Sequence, residues 1–291
     1  MSMLAQISPT LLPADGASGL YVTYLAILSL AVLCGILSLV VVWRRWAFLG
    51  EGIAHAGFGG AGTAWMLAAL IPAADTNTVV FAAVTGFCLL TGIAIGIVHR
   101  RGNVHSDTAI GAFLVGALAW GFIGQQVYLG TYHRIPAGFQ SLLFGQTQLL
   151  NHTHAQLTVA LTVVCLTLLT AFGRQILLYC LDPALAQTSG VRTGFIHYLL
   201  ILLVTVTIIL GVPMLGSVLI TAMLILPGAA AMLLSRRLTG TLLLSAAIGA
   251  GGALAGILIN RQWPILPQGP CIVLSLFVFF IGSWLVSSRQ R

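Results

Sequence analysis

Long apolar segments make up most of the chain, and short polar segments separate them. A helix needs about 20 apolar residues to cross the hydrocarbon core of a bilayer. Segments of this kind lie near residues 20–42, 52–71, 79–98, 108–129, 157–179, 196–212, 217–234, 241–259 and 271–287. The pattern predicts an all-α, polytopic transmembrane bundle of about nine spans over residues 20–287 of a single domain, 1–291. The break at Gly211–Gly216 is short, so its flanking helices form either a tight hairpin or one broken span, which would leave about eight.

The composition supports a membrane protein and excludes several other classes. Hydrophobic residues fill 59% of the 291 positions and charged residues only 6%, whereas soluble domains carry about 25% charged residues. Every basic residue is an arginine. Because a nucleotide-binding P-loop needs a lysine that contacts the β- and γ-phosphates, we do not expect this chain to carry an ATPase site of that type or to be an enzyme.

The arginines also predict the orientation, because cytoplasmic loops of membrane proteins are enriched in positive charge. With alternating spans and the N-terminus outside, only Arg134 and Arg261 lie outside. The cytoplasmic set is then Arg44, Arg45, Arg100, Arg101, Arg174, Arg192, Arg236, Arg237, Arg289 and Arg291. This bias predicts a multi-pass membrane protein with its N-terminus outside and a cytoplasmic C-terminus. It also accounts for the net charge of +7 without a nucleic-acid partner.

Glu51 and His55 form the most informative polar pair, four positions apart at the start of the second span. Residues at i and i+4 share a helix face, and an ionisable group within a span faces a cavity or a partner. A carboxylate with an imidazole suits Mn²⁺, Fe²⁺ or Zn²⁺. One interpretation is a metal path in which a second copy, across a two-fold axis, completes the site. In the other, Glu51 pairs with Arg44 or Arg45 and His55 only fills space.

His152 and His154 are a weaker candidate for a metal site, on the outer side. They stand two apart, a spacing that shares a face in extended backbone but not in a helix. Both belong to the segment 130–156, which is moderately apolar. This segment either runs along the outer surface or dips into the membrane.

Small residues crowd the second span, from Gly50 to Ala64, and the eighth span, from Gly249 to Gly256. In lipid, small residues let helix backbones approach closely. We therefore expect close helix packing at both spans. In the second span the same residues also leave room for a path or a broken helix.

Residues 180–195 predict a short cytoplasmic helix between two spans. Asp182 is a side chain that caps helix N-termini, and Pro183 suits the first helical position. Gly190 then serves as a stop signal. The predicted helix covers residues 182–190.

Five segments match, in order, the motifs of one protein family. The first is residues 42–56, VWRRWAFLGEGIAHA, which is similar to a basic turn followed by G-D-x-L-x-H-A. The others are residues 107–111 with D-T-x-I-G, residues 143–145 with L-F-G-D, residues 181–186 closed by Gly190 with D-P-x-x-A…G, and residues 216–231 with G-x-L-L-x-x-A-L-L-I-x-P-A-A-x-A. Together, over roughly residues 30–285, they resemble the membrane permease subunit of bacterial ABC importers for zinc, manganese or iron.

This resemblance implies a homodimeric permease with a central path, two cytoplasmic ABC ATPase subunits and an extracytoplasmic metal-binding protein that delivers the ion. Its function would be to move a divalent transition metal across the inner membrane, with no permanently bound cofactor. The family's pore ligands carry over onto Glu51 and His55. The family's ATPase-coupling helix corresponds to residues 182–190 of this chain. The motif residues there are Asp182, Pro183, Ala186 and Gly190.

Two departures leave the choice among zinc, manganese and iron open: Glu51 replaces the family's Asp, and Gln146 replaces its acid after L-F-G. One alternative function is an ATP-independent secondary metal transporter or channel. Glu51 is the only acid well placed within a span, which argues against ion coupling of that kind. Another alternative is the same ABC architecture moving a metal chelate. An intramembrane enzyme is disfavoured because no nucleophile–base arrangement is evident.

Overall fold

The structure is a computed structural model that describes residues 16–71, 76–101, 106–134, 136, 152–235, 237–263 and 265–289. All regular elements in these ranges are helices, which confirms the predicted all-α class. In chain order they are α1 (Gly16–Trp43), α2 (Ala47–Leu70), α3 (Asn77–Arg101), α4 (Ser106–Tyr132), α5 (His152–Ala171), α6 (Gly173–Leu181), α7 (Pro183–Thr188), α8 (Thr193–Leu215), α9 (Ser217–Met223), α10 (Leu226–Leu234), α11 (Leu238–Gln262) and α12 (Gln268–Arg289). Most of the segment 130–156 lies outside the described residues.

Seven segments are long and apolar enough to cross a membrane: α1, α3, α4, α8, α9 with α10, α11 and α12. An eighth is the pair α5 and α6, which bends by 67° at Phe172. The predicted second span corresponds to α2, whose 24 residues would extend about 36 Å. Its glycines, Glu51 and His55 dilute the apolar character of α2, so the count of nine spans stays a prediction.

Helix α2, which carries the candidate metal site, is surrounded by other helices of the bundle. It packs against α3, α4, α8 and α9, and 15 of its residues are buried. The contact with α4 depends on glycine, because a Cβ on Gly62 would lie 2.6 Å from Gly121 Cα. This confirms that the small residues of the second span serve close packing.

The chain between α8 and α10 is interrupted twice. Gly216, with φ 85°, separates α8 from α9, and Ile225 separates α9 from α10. Because α8 and the segment Ser217–Leu234 qualify as separate spans, the geometry fits the predicted hairpin. At the second interruption the fully buried Ser38 of α1 donates to the Ile225 carbonyl (3.1 Å) and accepts from Gly228 N–H (2.8 Å). A hydroxyl from α1 therefore satisfies backbone groups for which lipid offers no partner.

Several predicted cytoplasmic ends meet at one end of the bundle. Arg44 at the end of α1, Arg100 at the end of α3, Tyr179 near the end of α6 and Gly194 at the start of α8 line a single cavity. Two of the arginines assigned to one side by charge bias, Arg44 and Arg100, thus line the same cavity. This agreement supports the alternation of the spans around these four ends.

Candidate metal site and cytoplasmic helix

The Glu51 and His55 side chains meet on α2, as their spacing predicted. The Glu51 Oε1 atom lies 3.4 Å from His55 Nε2, and the two side chains retain 44% and 17% of their exposure. The His55 Nδ1 atom is buried and has no hydrogen-bond partner among the described residues. The carboxylate and one ring nitrogen therefore form the accessible part of this pair.

Both residues lie on the one open stripe of α2. The exposed or half-buried positions lie on one side of this helix, in a stripe that is interrupted where residues 56–62 are all buried. They are Ala47, Phe48, Glu51, His55, Thr63, Met66, Leu67, Ala69 and Leu70. The rest of the helix is enclosed by α3, α4, α8 and α9. A carboxylate on an open face within a membrane bundle needs either water or a partner protein, because exposure to lipid costs roughly 2.5–3.5 kcal/mol on insertion scales.

The separation of the pair is compatible with two ligands of one metal ion. Metal–ligand bonds of about 2.1 Å at angles of 90–110° place two donor atoms roughly 3.0–3.4 Å apart. Glu51 Oε1 and His55 Nε2 are 3.4 Å apart. Within the described ranges, no group of three or more His, Cys, Asp or Glu residues is arranged to hold a metal. One copy of the chain thus offers two ligands, which is too few for tight binding.

The alternative interpretation, an ion pair between Glu51 and Arg44 or Arg45, is not observed. Over the part of the chain that the structure describes, the carboxylate has its only ion-pair contact with His55. Arg44 instead donates to the Tyr179 hydroxyl (3.1 Å) and covers the Tyr179 ring at 4.4 Å. Arg45 is exposed in the tight turn before α2, with φ 56°.

The predicted cytoplasmic helix is present as α7, with the caps that its sequence indicated. Asp182 Oδ1 accepts from Ala184 N–H (2.8 Å) and Leu185 N–H (3.2 Å), and Pro183 is the first helical residue. At the other end the Gly190 and Val191 N–H groups bond to the Gln187 and Ala186 carbonyls, which is the Schellman arrangement.

Two residues fix the position and the end of α7: Ala186 within the helix and Gly190 just after it. Gly190 has φ 80°, a conformation that side chains with a Cβ rarely adopt. Ala186 is fully buried and fixes one face of α7 to the bundle. The other side chains of α7 are exposed, among them that of Leu185 at 54%. An apolar residue displayed in this way at the end of a bundle is available to a partner protein.

Comparisons with known proteins decide the family. Residues 19–287 match the family described as the ABC 3 transport family. The chain belongs to this family. It is 31% identical over 265 residues to the manganese transport system membrane protein MntC of Halalkalibacterium halodurans, covering 91% of this chain and 86% of that protein. It is also 31% identical to the manganese import system permease protein ScaB of Streptococcus parasanguinis, covering 91% and 89%.

A solved structure agrees with this assignment. The fold is similar to a chain of PsaBC from Streptococcus pneumoniae in complex with Fab, with a TM-score of 0.76 and 27% identity over 93% of this chain and 92% of that one. The ABC 3 family assignment confirms the resemblance noted from the five motifs. With the candidate spans, it identifies a multi-pass protein of the inner membrane.

The outer histidine pair has no equivalent support in the structure. The backbones of His152 and His154 lie in the first turn of α5, where residues two apart do not share a face. Their side chains lie outside the described residues, as do the segment 143–145 and Gln146. An outer metal role for the two histidines stays a prediction.

A polar cluster at the predicted cytoplasmic end was not predicted from the sequence. His197 of α8 is buried, and its Nδ1 lies 3.0 Å from the Tyr179 hydroxyl while its Nε2 lies 3.3 Å from the Gly96 carbonyl. The His99 ring stacks on the His197 ring at 5.5 Å, and Trp46 contacts both edge-on. The only signal in the sequence was the position of these residues near span ends, which does not indicate which of them meet.

Proposed function

We propose that this chain is the translocating subunit of an ATP-driven importer of a divalent transition metal, with Mn²⁺ as the foremost candidate. The observation that carries the proposal is the Glu51–His55 pair on the only open stripe of α2. The family supplies the transport class. Mn²⁺ is favoured because the two relatives are named for manganese and because a carboxylate oxygen suits this hard ion.

The proposed site is shared between two copies of the chain. A two-fold axis beside the open stripe of α2 brings a second Glu51 and a second His55 to the path, so that four ligands replace two. Binding by four ligands from two subunits is transient, because rotation of the subunits separates the pairs. This property suits transport, since an ion that is imported must also be released.

The driving force in this proposal comes from separate cytoplasmic ATPase subunits that dock on α7. Closure of the ATPases moves α7 and rocks the bundle between outward-open and inward-open states. An extracytoplasmic metal-binding protein delivers the ion to the outer end of the path. The exposed side chains and the two well-formed caps of α7 support its role as the contact.

Metal uptake by the intact importer tests the proposed site. Wild type, Glu51→Gln and His55→Ala are compared for uptake of Mn²⁺, Fe²⁺ and Zn²⁺, with equal expression and assembly confirmed. We expect uptake of one ion to fall at least about tenfold in both variants, because each removes one ligand per subunit. Asp107→Asn, which removes an acid from the start of α4, is the matched control and should keep full uptake.

Two results would contradict parts of the proposal. Undiminished uptake in both variants removes Glu51 and His55 from the path while leaving the family assignment intact. Uptake that continues without any ATPase subunit favours the secondary-transporter alternative. We expect Glu51→Asp, which restores the family's usual residue, to retain uptake because the carboxylate stays on the same face of α2.

A further inference from the structure

A cationic cavity lies beside α7 at the predicted cytoplasmic end of the bundle. Its volume is about 350 Å³. Helices α1, α3, α6, α7 and α8 all contribute to its walls. The lining residues with polar side chains are Arg44, His99, Arg100, Tyr179, Gln187, Thr193 and His197.

The cavity carries positive charge without a matching acid. Across the described ranges, neither guanidinium has a carboxylate within 4.0 Å, since the ion pair found there joins His55 and Glu51. Arg44 Nε is buried without a hydrogen-bond partner among the same residues. This atom is closed off from the cavity, so the argument for a ligand comes from the charge: a partly buried guanidinium without a nearby carboxylate favours an anion in the adjoining space.

The position of Arg100 strengthens this argument. Its guanidinium packs so closely over the first turn of α8 that a Cβ on Gly194 would lie 2.8 Å from Nη1. The first turn of a helix has free N–H groups and a partial positive charge, which disfavours a cation there. An anion that contacts both Arg100 and this turn removes the repulsion.

We propose that this cavity binds a phosphate group. Arginine forks match phosphate oxygens with paired N–H donors. Thr193 and Gln187 add neutral donors from the facing walls. The volume of about 350 Å³ accommodates a phosphate together with the first atoms of an ester. Two sources supply this chemistry: the headgroup of an anionic phospholipid of the inner leaflet and free inorganic phosphate.

Occupancy of the cavity has a mechanical consequence for α7. Pro183, Ala184 and Gln187 of α7 line the cavity together with Arg44 and Arg100 of the spans. A bound phosphate therefore contacts the span ends and α7 at once. It stiffens the connection through which an ATPase would move the bundle.

Binding measurements on the purified permease–ATPase complex test this proposal. Native mass spectrometry records retention of short-chain phosphatidylglycerol, with phosphatidylcholine as the neutral comparison and inorganic phosphate as the second probe. We expect Arg100→Gln to weaken binding by at least about tenfold, because it removes the fork and its charge. Arg100→Lys keeps the charge, so its binding of the probes should be intermediate between that of wild type and that of Arg100→Gln. Arg237→Gln, an exposed arginine at the start of α11, should stay within about twofold of wild type.

The outcomes distinguish a phospholipid headgroup from free phosphate, and both of these from a carboxylate of the ATPase. Arg100-dependent binding of phosphatidylglycerol that millimolar phosphate does not displace identifies a lipid site. Arg100-dependent binding of inorganic phosphate identifies a site for the free ion. Binding of both probes that is independent of Arg100 overturns the proposal. Loss of the ATPase in Arg100→Gln with unchanged binding of both probes also overturns it, because the cavity then receives a carboxylate of the ATPase.

Discussion

The Tyr179 hydroxyl belongs to one chain of hydrogen bonds that links four helices. Because the Gly96 carbonyl can only accept, a neutral His197 donates to it through Nε2, and its Nδ1 accepts the proton of Tyr179. The Tyr179 oxygen in turn accepts from Arg44 Nη2. Each donor in the chain is therefore matched to one acceptor, from α1 through α6 and α8 to α3.

Replacement of Tyr179 by Phe should destabilise the protein measurably. The change leaves Arg44 Nη2 and His197 Nδ1 without this partner, at a cost of about 1–3 kcal/mol for a buried unsatisfied group. Thermal unfolding of the purified protein in detergent measures the effect as a lower midpoint. Tyr198→Phe is the control, since in the described part of the chain the Tyr198 ring contacts Arg100 and its hydroxyl has no bond. Equal midpoints for the two variants would contradict the chain of bonds.

Residue-level features were predictable where they are local. The cap at Asp182 and the stop at Gly190 depend on neighbours within a few positions, so the sequence indicates them directly. The pairing of Glu51 with His55 follows from helical spacing. The bond between His197 and Gly96 joins positions 101 residues apart. No periodicity encodes such a contact, because it depends on how the helices are arranged.

Helix α7 has only six residues, but hydrogen bonds stabilise it at both ends. Isolated helices of this length are unstable in water, because the hydrogen bonds of so few turns do not offset the free-energy cost of nucleation. The Asp182 cap, the bonds around Gly190 and the burial of Ala186 compensate for the length. In the proposed coupling role, a rigid short helix would transmit force to the spans, which a flexible loop would not do.

Loss of either cap should weaken the association with the ATPase. Asp182→Ala removes two hydrogen bonds, at a typical cost of about 0.5–2 kcal/mol, and Gly190→Ala strains a residue with φ 80°. Co-purification of the ATPase with each variant measures the effect, and we expect a severalfold decrease in both. Gly173→Ala provides the control, because its Cβ would meet nothing within 4 Å. Full retention of the ATPase by both cap variants would remove α7 from the interface.

The predicted spans correspond to helices, whereas the interruptions inside two of these spans were not predicted. The span at 157–179 is two helices, α5 and α6, with a bend of 67°. The span at 217–234 is also two helices, which separate at Ile225. Gly173 and Pro227 stand just inside the helices that follow these breaks. Hydropathy averages over such positions, so it indicates the length of a span and not its continuity.

At the scale of the whole molecule, the distribution of charge predicts how the protein sits in the membrane. The arginines near the ends of α1 and α3 meet around one cavity. Arg134 follows α4, at the opposite end of that helix from its connection to α3. The positive-inside rule then predicts that the cavity faces the cytoplasm and that Arg134 lies outside.

Thiol labelling tests this orientation with little background, because the native cysteines are all buried. Arg134→Cys and Arg237→Cys are expressed in intact cells and treated with a membrane-impermeant maleimide. We expect rapid labelling of Arg134→Cys, whereas Arg237→Cys should react only after the membrane is permeabilised. The reverse pattern would invert the topology.

The contact between Ser38 and the interruption before α10 bears on how the protein is made. Gly228 N–H finds its partner on α1, nearly two hundred positions earlier in the chain. The segment Ser217–Leu234 cannot satisfy this group by itself in lipid. It therefore reaches its final form only when α1 is already in the bilayer. Synthesis from the N-terminus provides that order, since α1 leaves the ribosome before the segment Ser217–Leu234.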